Sequence, residues 1–340
     1  MTHAFARRGI VAAVAVVALA LTGCASDSAG GKEGGDASAP EELTPVNFGY
    51  IADFNGASLL AVAEDQGLWE EHGIEVTTSV FTNGPLQIQA LGTGDLDFGY
   101  IGPGAMWLPA SGEAKIVSIN TLGSADRVIA QAGIESIEDL KGKKVAVPEG
   151  TSGDMILNLA LESAGMSIND VEKVAMDPST VVAAFASKQV DAAGIWYPLI
   201  NTIEEQVPDL NILAENDDFA ETVSFPTAFV SAPTFVDENE ETVSKVIAAL
   251  RDANDFRAEN MDETVKLTAA MLKLEEASVE ADSKNVKIMT SAELDELTED
   301  GSVAGWLEGM NSYFVGAGKL PEPVDPATYY TGDLYVGAGK

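Results

Sequence analysis

Apolar runs of strand length alternate with segments of helical period from Val46 onward. Residues 46–51 form a strand-like run. Residues 57–66 carry apolar positions at helical spacing and stop at Gly67. A strand comes next over 73–81, then a helix over 85–91 with Pro85 at its start and Gly92-Thr93-Gly94 at its end. A strand at 98–101, a helix through Leu108 and a strand at 114–120 complete a β-α-β-α-β order, which predicts a largely parallel sheet. The rhythm breaks between Asp126 and Gly133, and a second unit begins. Ser136 caps a short helix, and strands are predicted at 143–147, 171–176, 190–195 and 211–214, with helices between them. Residues 224–230 read as a strand returning to the first unit. Beyond Asp237 the pattern is helical: 240–259, 262–272, 275–283, 292–297 and 303–314.

The expected architecture is therefore α/β, with two lobes and a cleft. The first lobe takes 45–126 and 232–340, the second takes 127–231, and hinge crossings lie near 126–132 and 224–231. One word occurs twice, Phe48-Gly49-Tyr50-Ile51 and Phe98-Gly99-Tyr100-Ile101. The repetition itself proves nothing. The setting of each copy matters more, because both end a strand and run into a small glycine-bearing turn. In open α/β sheets ligands bind outside the carboxyl ends of strands, so these two turns are expected to form one wall of the cleft.

Charge narrows the partners. Lys and Arg number 19 against 54 Asp and Glu, a formal net charge of −35. Nucleic acid is excluded, since phosphate neutralisation needs basic clusters. The acidity otherwise reads as a heavily solvated surface. At the start of the chain, Arg7 and Arg8 precede an apolar stretch at 10–21, too short to span a bilayer comfortably, and then Leu21-Thr22-Gly23-Cys24. That sequence resembles a bacterial lipobox. It predicts a signal peptide over 1–23 and a lipid on Cys24, the single cysteine, with 24–44 as the lipidated cysteine and a flexible linker. The expected location is extracytoplasmic, anchored to the outer face of the cell membrane.

Several elements in order resemble one family. They are Gly67-Leu68-Trp69-Glu70-Glu71-His72-Gly73-Ile74, Gly92-Thr93-Gly94-Asp95-Leu96-Asp97-Phe98-Gly99, Ile137 to Val145, and Val190-Asp191-Ala192-Ala193-Gly194-Ile195-Trp196-Tyr197-Pro198. Together they are similar to the nitrate, aliphatic-sulfonate and taurine substrate-binding proteins of ABC importers, which are related to thiamine-pyrimidine synthases. The resemblance implies a type II periplasmic-binding fold that closes over one small ligand. It also implies a permease and its ATPase as partners, and a monomer.

The residues offer little for catalysis. His72 is the only histidine after Cys24 and reads as a favourable charge at a helix C-terminus. No nucleophile accompanies it, no Cys/His metal set exists, and the thiamine-pyrimidine synthases need a histidine in their site. No enzyme activity, metal or cofactor is expected. The binding constellation is expected from strand ends: Asp53, Phe54, Asn55, Gln87, Tyr100, Met106 and Trp107 from the first lobe, with Asn83 beside them. Thr151, Ser152, Asp154, Trp196 and Tyr197 come from the second, and Phe225 from the returning segment. Each also has a structural reading: Ser152 as an N-cap, Asp154 as a dipole-favoured acid, Trp107 as core. None of these loops carries a basic residue, and only Arg127 at the crossing could balance an anion. Acids beside aromatic faces suit a cation. The expected ligand is a small cationic or zwitterionic nitrogen compound, such as an amine, a guanidinium compound or a taurine-like amino-sulfonate. A simple sulfonate or nitrate is the alternative. A ligand sensor without transport is the alternative of another class.

Overall fold

The computed structural model describes residues 43–339, so the lipobox, Cys24 and most of the leash lie outside the described residues. The first half of the first lobe carries β1 (Thr44–Ile51), α1 (Phe54–Asp65), α2 (Leu68–Glu71), β2 (Ile74–Phe81), α3 (Gly84–Thr93), β3 (Phe98–Ile101), α4 (Trp107–Ala110) and β4 (Lys115–Gly123). The second lobe carries β5 (Asp126–Ala130), β6 (Lys144–Val147), α5 (Ser152–Ser163), β7 (Glu172–Ala175), α6 (Pro178–Ala186), β8 (Ala192–Trp196), α7 (Leu199–Glu204) and β9 (Asn211–Glu215). The chain returns through β10 (Pro226–Ser231) to α8 (Pro233–Glu238), α9 (Glu240–Glu259), α10 (Met261–Leu272) and α11 (Glu276–Ser283). It ends with β11 (Val286–Ile288), α12 (Ser291–Glu299), α13 (Ser302–Gly316) and α14 (Gly332–Gly337).

Two mixed sheets result. The first has the order β11-β4-β10-β3-β1-β2 and the second β7-β6-β8-β5-β9. β1 runs parallel to β2 and β3, and β6 runs parallel to β7 and β8, as helical crossovers require. β10 is antiparallel to β3 and β4, and β5 is antiparallel to β8 and β9. Central strands β3, β5, β8 and β10 are buried along their whole length, which explains their continuous apolar runs. The two phenylalanines of the repeated word stack in the core, Phe48 on Phe98 with ring centroids 5.6 Å apart, and Phe229 meets Phe48 edge-on at 5.5 Å. Each such ring removed from water contributes about 2–3 kcal/mol.

The lobes are joined at two places. β4 ends at Gly123 and β5 begins at Asp126, so the first crossing is a strand-to-strand step through Ser124 and Ala125. Residues 126–130, read in sequence as a break in rhythm, are thus a full strand. The second crossing runs from β9 to β10, and Gly123 N–H donates to the Phe225 carbonyl at 2.8 Å, tying one crossing to the other. The tail is less purely helical than its pattern predicts. β11 is only three residues long, too short to show a two-residue period, and it extends the first sheet beyond β4.

Candidate functional site

The parallel strands of both sheets aim their carboxyl ends at one cavity of about 40 Å³, lined by both lobes. From the end of β1 and the start of α1 come Ile51, Asp53 and Asn55, and from the start of α3 come Asn83, Gly84 and Pro85. β3 supplies Tyr100, Gly102, Pro103 and Ala105; the hinge supplies Gly123, Ala125 and Asp126, and β10 adds Thr227. The second lobe contributes Thr151 and Ser152 at the start of α5, and Trp196 and Tyr197 at the end of β8.

The first wall is held from beneath. Asp53 caps α1, its Oδ1 accepting the Gly56 N–H at 2.7 Å, as an aspartate before a helix does. Its other oxygen takes no hydrogen bond among the described residues. Gly56 must be glycine, because a Cβ there would lie 2.5 Å from the Ile51 carbonyl oxygen. Asn55 is pinned twice: Asn120 Nδ2 donates to its carbonyl at 2.8 Å, and Thr121 Oγ1 donates to its Oδ1 at 2.6 Å. The glycines of the repeated word, Gly49 and Gly99, make room for Gln87, whose Oε1 would lie 2.7 and 3.1 Å from a Cβ at either position. Gln87 spends its amide on the main chain of Tyr100, accepting from its N–H at 2.9 Å and donating to its carbonyl at 2.7 Å. That fixes Tyr100 at the cavity.

Asp126 is set from the second lobe. Its N–H donates to Asn216 Oδ1 at 2.7 Å, and Asn216 Nδ2 donates to its Oδ2 at 3.0 Å. Arg127 next to it is already engaged, with Nε 3.2 Å from Glu215 and Nη1 donating to the carbonyls of Ser124 and Asp126. It lines no part of the cavity, and neither does any other Lys or Arg. Among the described residues no group of three or more His, Cys, Asp or Glu is placed to hold a metal.

The sequence profile of the family described as NMT1/THI5 like matches residues 56–264, more than half of the chain. A Brucella abortus protein that carries the description "Putative binding protein" is 58% identical over 86% of this chain and 91% of its own length. The chain belongs to the NMT1/THI5-like family. A Bacillus subtilis relative, described as "Putative aliphatic sulfonates-binding protein", is 28% identical over 86% of this chain and 87% of its own. The crystal structure of the periplasmic aliphatic sulphonate binding protein SsuA from Escherichia coli shares the fold, with a TM-score of 0.66 and 22% identity over 86% of this chain and 99% of that one. This NMT1/THI5-like chain is a solute-binding protein, as the resemblance implied. Its relatives are binding proteins, in line with a binding role rather than a catalytic one.

Within this NMT1/THI5-like fold, Asp53, Asn55, Asn83, Tyr100, Thr151, Ser152, Trp196 and Tyr197 come together at the cavity. Six residues expected there lie elsewhere. Phe54 points the other way, fully buried with Val265, Ala269 and Val279, because the residue after the cap turns into the helix packing. Gln87 is a brace beneath Tyr100, and Met106 is core. Trp107 packs beside Lys319, whose Nζ lies 5.5 Å from the ring. Asp154 is 3.2 Å from Lys173 and accepts the Gly150 N–H at 3.1 Å, so it serves the turn before α5. Phe225 is buried within the second crossing. Asp126 joins the site without a place among the expected residues, because Arg127 is the conspicuous side chain of the crossing in sequence. An acid opening the otherwise apolar run Val128-Ile129-Ala130 was the available signal.

Three carboxyls here are buried with little compensation. Burial pushes Asp53 well up, helped by Asp282 and Asp126 nearby, against the lowering effect of the Gly56 N–H. Burial also raises Asp126, and it lifts Asp282, which accepts the Phe54 N–H at 2.7 Å, to about 6. Burial, then the charge of Asp53, raises Tyr100, so its hydroxyl stays a neutral donor. Proton counts set the sign for stability. Between the ordinary aspartate value and the raised native one, the folded state holds more protons than the unfolded state, so the unliganded protein gains stability as pH falls through 6. Asp282 alone, at about 6 against an ordinary 3.8, accounts for on the order of 3 kcal/mol once pH has fallen below 3.8, roughly half of it by pH 5. Melting temperature measured without ligand is expected to rise from pH 7.5 to pH 5. A steady fall over that range contradicts this account.

Proposed function

We propose that this protein captures a small cationic or zwitterionic nitrogen compound outside the cytoplasm and hands it to an ABC permease, tethered to the membrane through Cys24. The ligand class rests on one observation: two buried carboxylates, Asp53 and Asp126, line a cavity that no Lys or Arg lines. A bare anion entering such a space loses its hydration without finding an opposite charge, a cost of several kcal/mol. A cation instead relieves the repulsion between the two acids, and Tyr100, Trp196 and Tyr197 offer it aromatic faces.

A second reading has its own support. The first turn of α5 faces the cavity with no side-chain cap at Thr151, and uncapped helix N-termini attract anions. Together with the sulfonate-binding description of the Bacillus subtilis relative, this favours a simple aliphatic sulfonate. Isothermal titration of the mature protein with methylguanidine, methylammonium, taurine, methanesulfonate and nitrate separates them. Heat from a cation or from taurine supports the proposal. Heat from methanesulfonate or nitrate alone overturns its ligand class and leaves the sulfonate reading.

A further inference from the structure

Resting on the cationic reading of the cavity, we infer that Asp53 and Asp126 form a two-carboxylate clamp across the hinge. The clamp selects a planar cation with forked N–H donors, a guanidinium or an amidinium, over a primary ammonium. Asn216 is the positioning residue that sets the clamp.

The two acids come from independent supports. Asp53 stands at the end of β1 in the first lobe, and Asp126 opens β5 on the far side of the two-residue crossing. Each is more than nine-tenths buried, and both line the same small cavity. Asp53 Oδ1 is committed to Gly56, and Asp126 Oδ2 is committed to Asn216. Asp53 therefore keeps one oxygen for a ligand, and Asp126 offers the oxygen not held by Asn216, with the Ser152 hydroxyl as a hydrogen-bonding neighbour of its carboxylate. Two acceptors set on separate elements are satisfied together by donors held in a fixed fork. A guanidinium or amidinium has that shape, and an ammonium, a compact point charge, does not. The planar cation is also the more weakly hydrated of the two, which matters in a cavity of about 40 Å³. Its flat face suits stacking on Trp196, Tyr197 or Tyr100, whereas an ammonium gains only the charge component.

Asn216 matters because it holds Asp126 at both ends, accepting the backbone N–H and donating to the carboxylate from a buried position. It fixes which oxygen of Asp126 remains for a ligand. The neighbouring Arg127 makes no hydrogen bond to that oxygen among the described residues, its Nε and Nη1 being held by Glu215 and by two carbonyls.

The test uses titration calorimetry on the mature protein with methylguanidine, acetamidine and methylammonium. Wild type is expected to bind methylguanidine or acetamidine at least about 10-fold tighter than methylammonium. Asp126→Asn, which can still pair with Asn216 and so keeps the fold, is expected to lose at least about 100-fold in that affinity. Asn216→Ala is expected to collapse the ratio between the two kinds of cation, while a merely structural defect would weaken both alike. Cooperative melting of each variant checks the fold. Equal binding of ammonium and guanidinium by wild type, or an Asp126→Asn variant that binds as wild type does, overturns the clamp and leaves the cationic reading in place. Binding of no cation at all overturns both.

Discussion

Gly104→Val is expected to weaken ligand binding by at least about 100-fold, equivalent to about 2.7 kcal/mol, while each lobe stays folded. Gly104 sits in the turn after β3, and a Cβ there would lie 2.0 Å from the Thr151 carbonyl carbon and 2.2 Å from both the Thr151 oxygen and the Ser152 nitrogen. All three are main-chain atoms of the opposite lobe, so no side chain can swing aside. The overlap is relieved only by parting the lobes. A ligand that touches both walls binds the closed arrangement, and a substitution that penalises closure reduces affinity by the same free energy. Titration calorimetry reads the affinity, and small-angle scattering with saturating ligand reads the expected larger radius of gyration. Unchanged affinity would show that the approach of Gly104 to Thr151 is not needed for capture.

Arg257→Met is expected to cost on the order of 2–4 kcal/mol of stability, which lowers the melting temperature by roughly 3–7 °C in a chain of this size. Arg257, on α9, is wholly buried and forms no ion pair among the described residues. It donates to Ser58 Oγ on α1 at 2.9 Å, to Asn254 Oδ1 at 2.7 Å and to the Asn120 carbonyl on β4 at 3.3 Å. Burial lowers its pKa to about 9, so it remains charged at neutral pH. Methionine fills much of the volume and returns none of the donors, leaving buried acceptors unmet at about 1–3 kcal/mol each. The damage reaches the cavity as well, because Asn120 holds Asn55. Chemical denaturation measures the loss. A midpoint within experimental error of wild type would mean that the helix packing, not the guanidinium, carries this junction.

Much of the cleft was legible because its residues derive from strand ends. Asp53, Asn55, Tyr100, Thr151, Ser152, Trp196 and Tyr197 all lie within a few residues of the carboxyl end of β1, β3, β6 or β8, and the direction of a parallel strand dictates where that end points. What could not be read was orientation within a turn. Asp53 and Phe54 are adjacent, yet one caps the helix beside the cavity and the other turns into the packing of α10 and α11. Gln87 belongs to the right segment and plays a different part, since only the structure shows the two glycines giving way to its amide. Asp126 escaped because β5 is antiparallel, so its amino end reaches the cleft while every other second-lobe contact comes from a carboxyl end.

The two crossings have a mechanical consequence. β4 and β10 are paired neighbours in the first sheet, and β5 and β9 are paired neighbours in the second. The chain segments that leave one sheet side by side thus arrive side by side in the other, like the two leaves of a flexure joint. Such a ribbon folds readily across its width and resists twist or sideways slip, because either would break strand pairing on both sides. A change in the angle between the two leaves is then expected to show as a single distance between fluorophores placed one on each lobe.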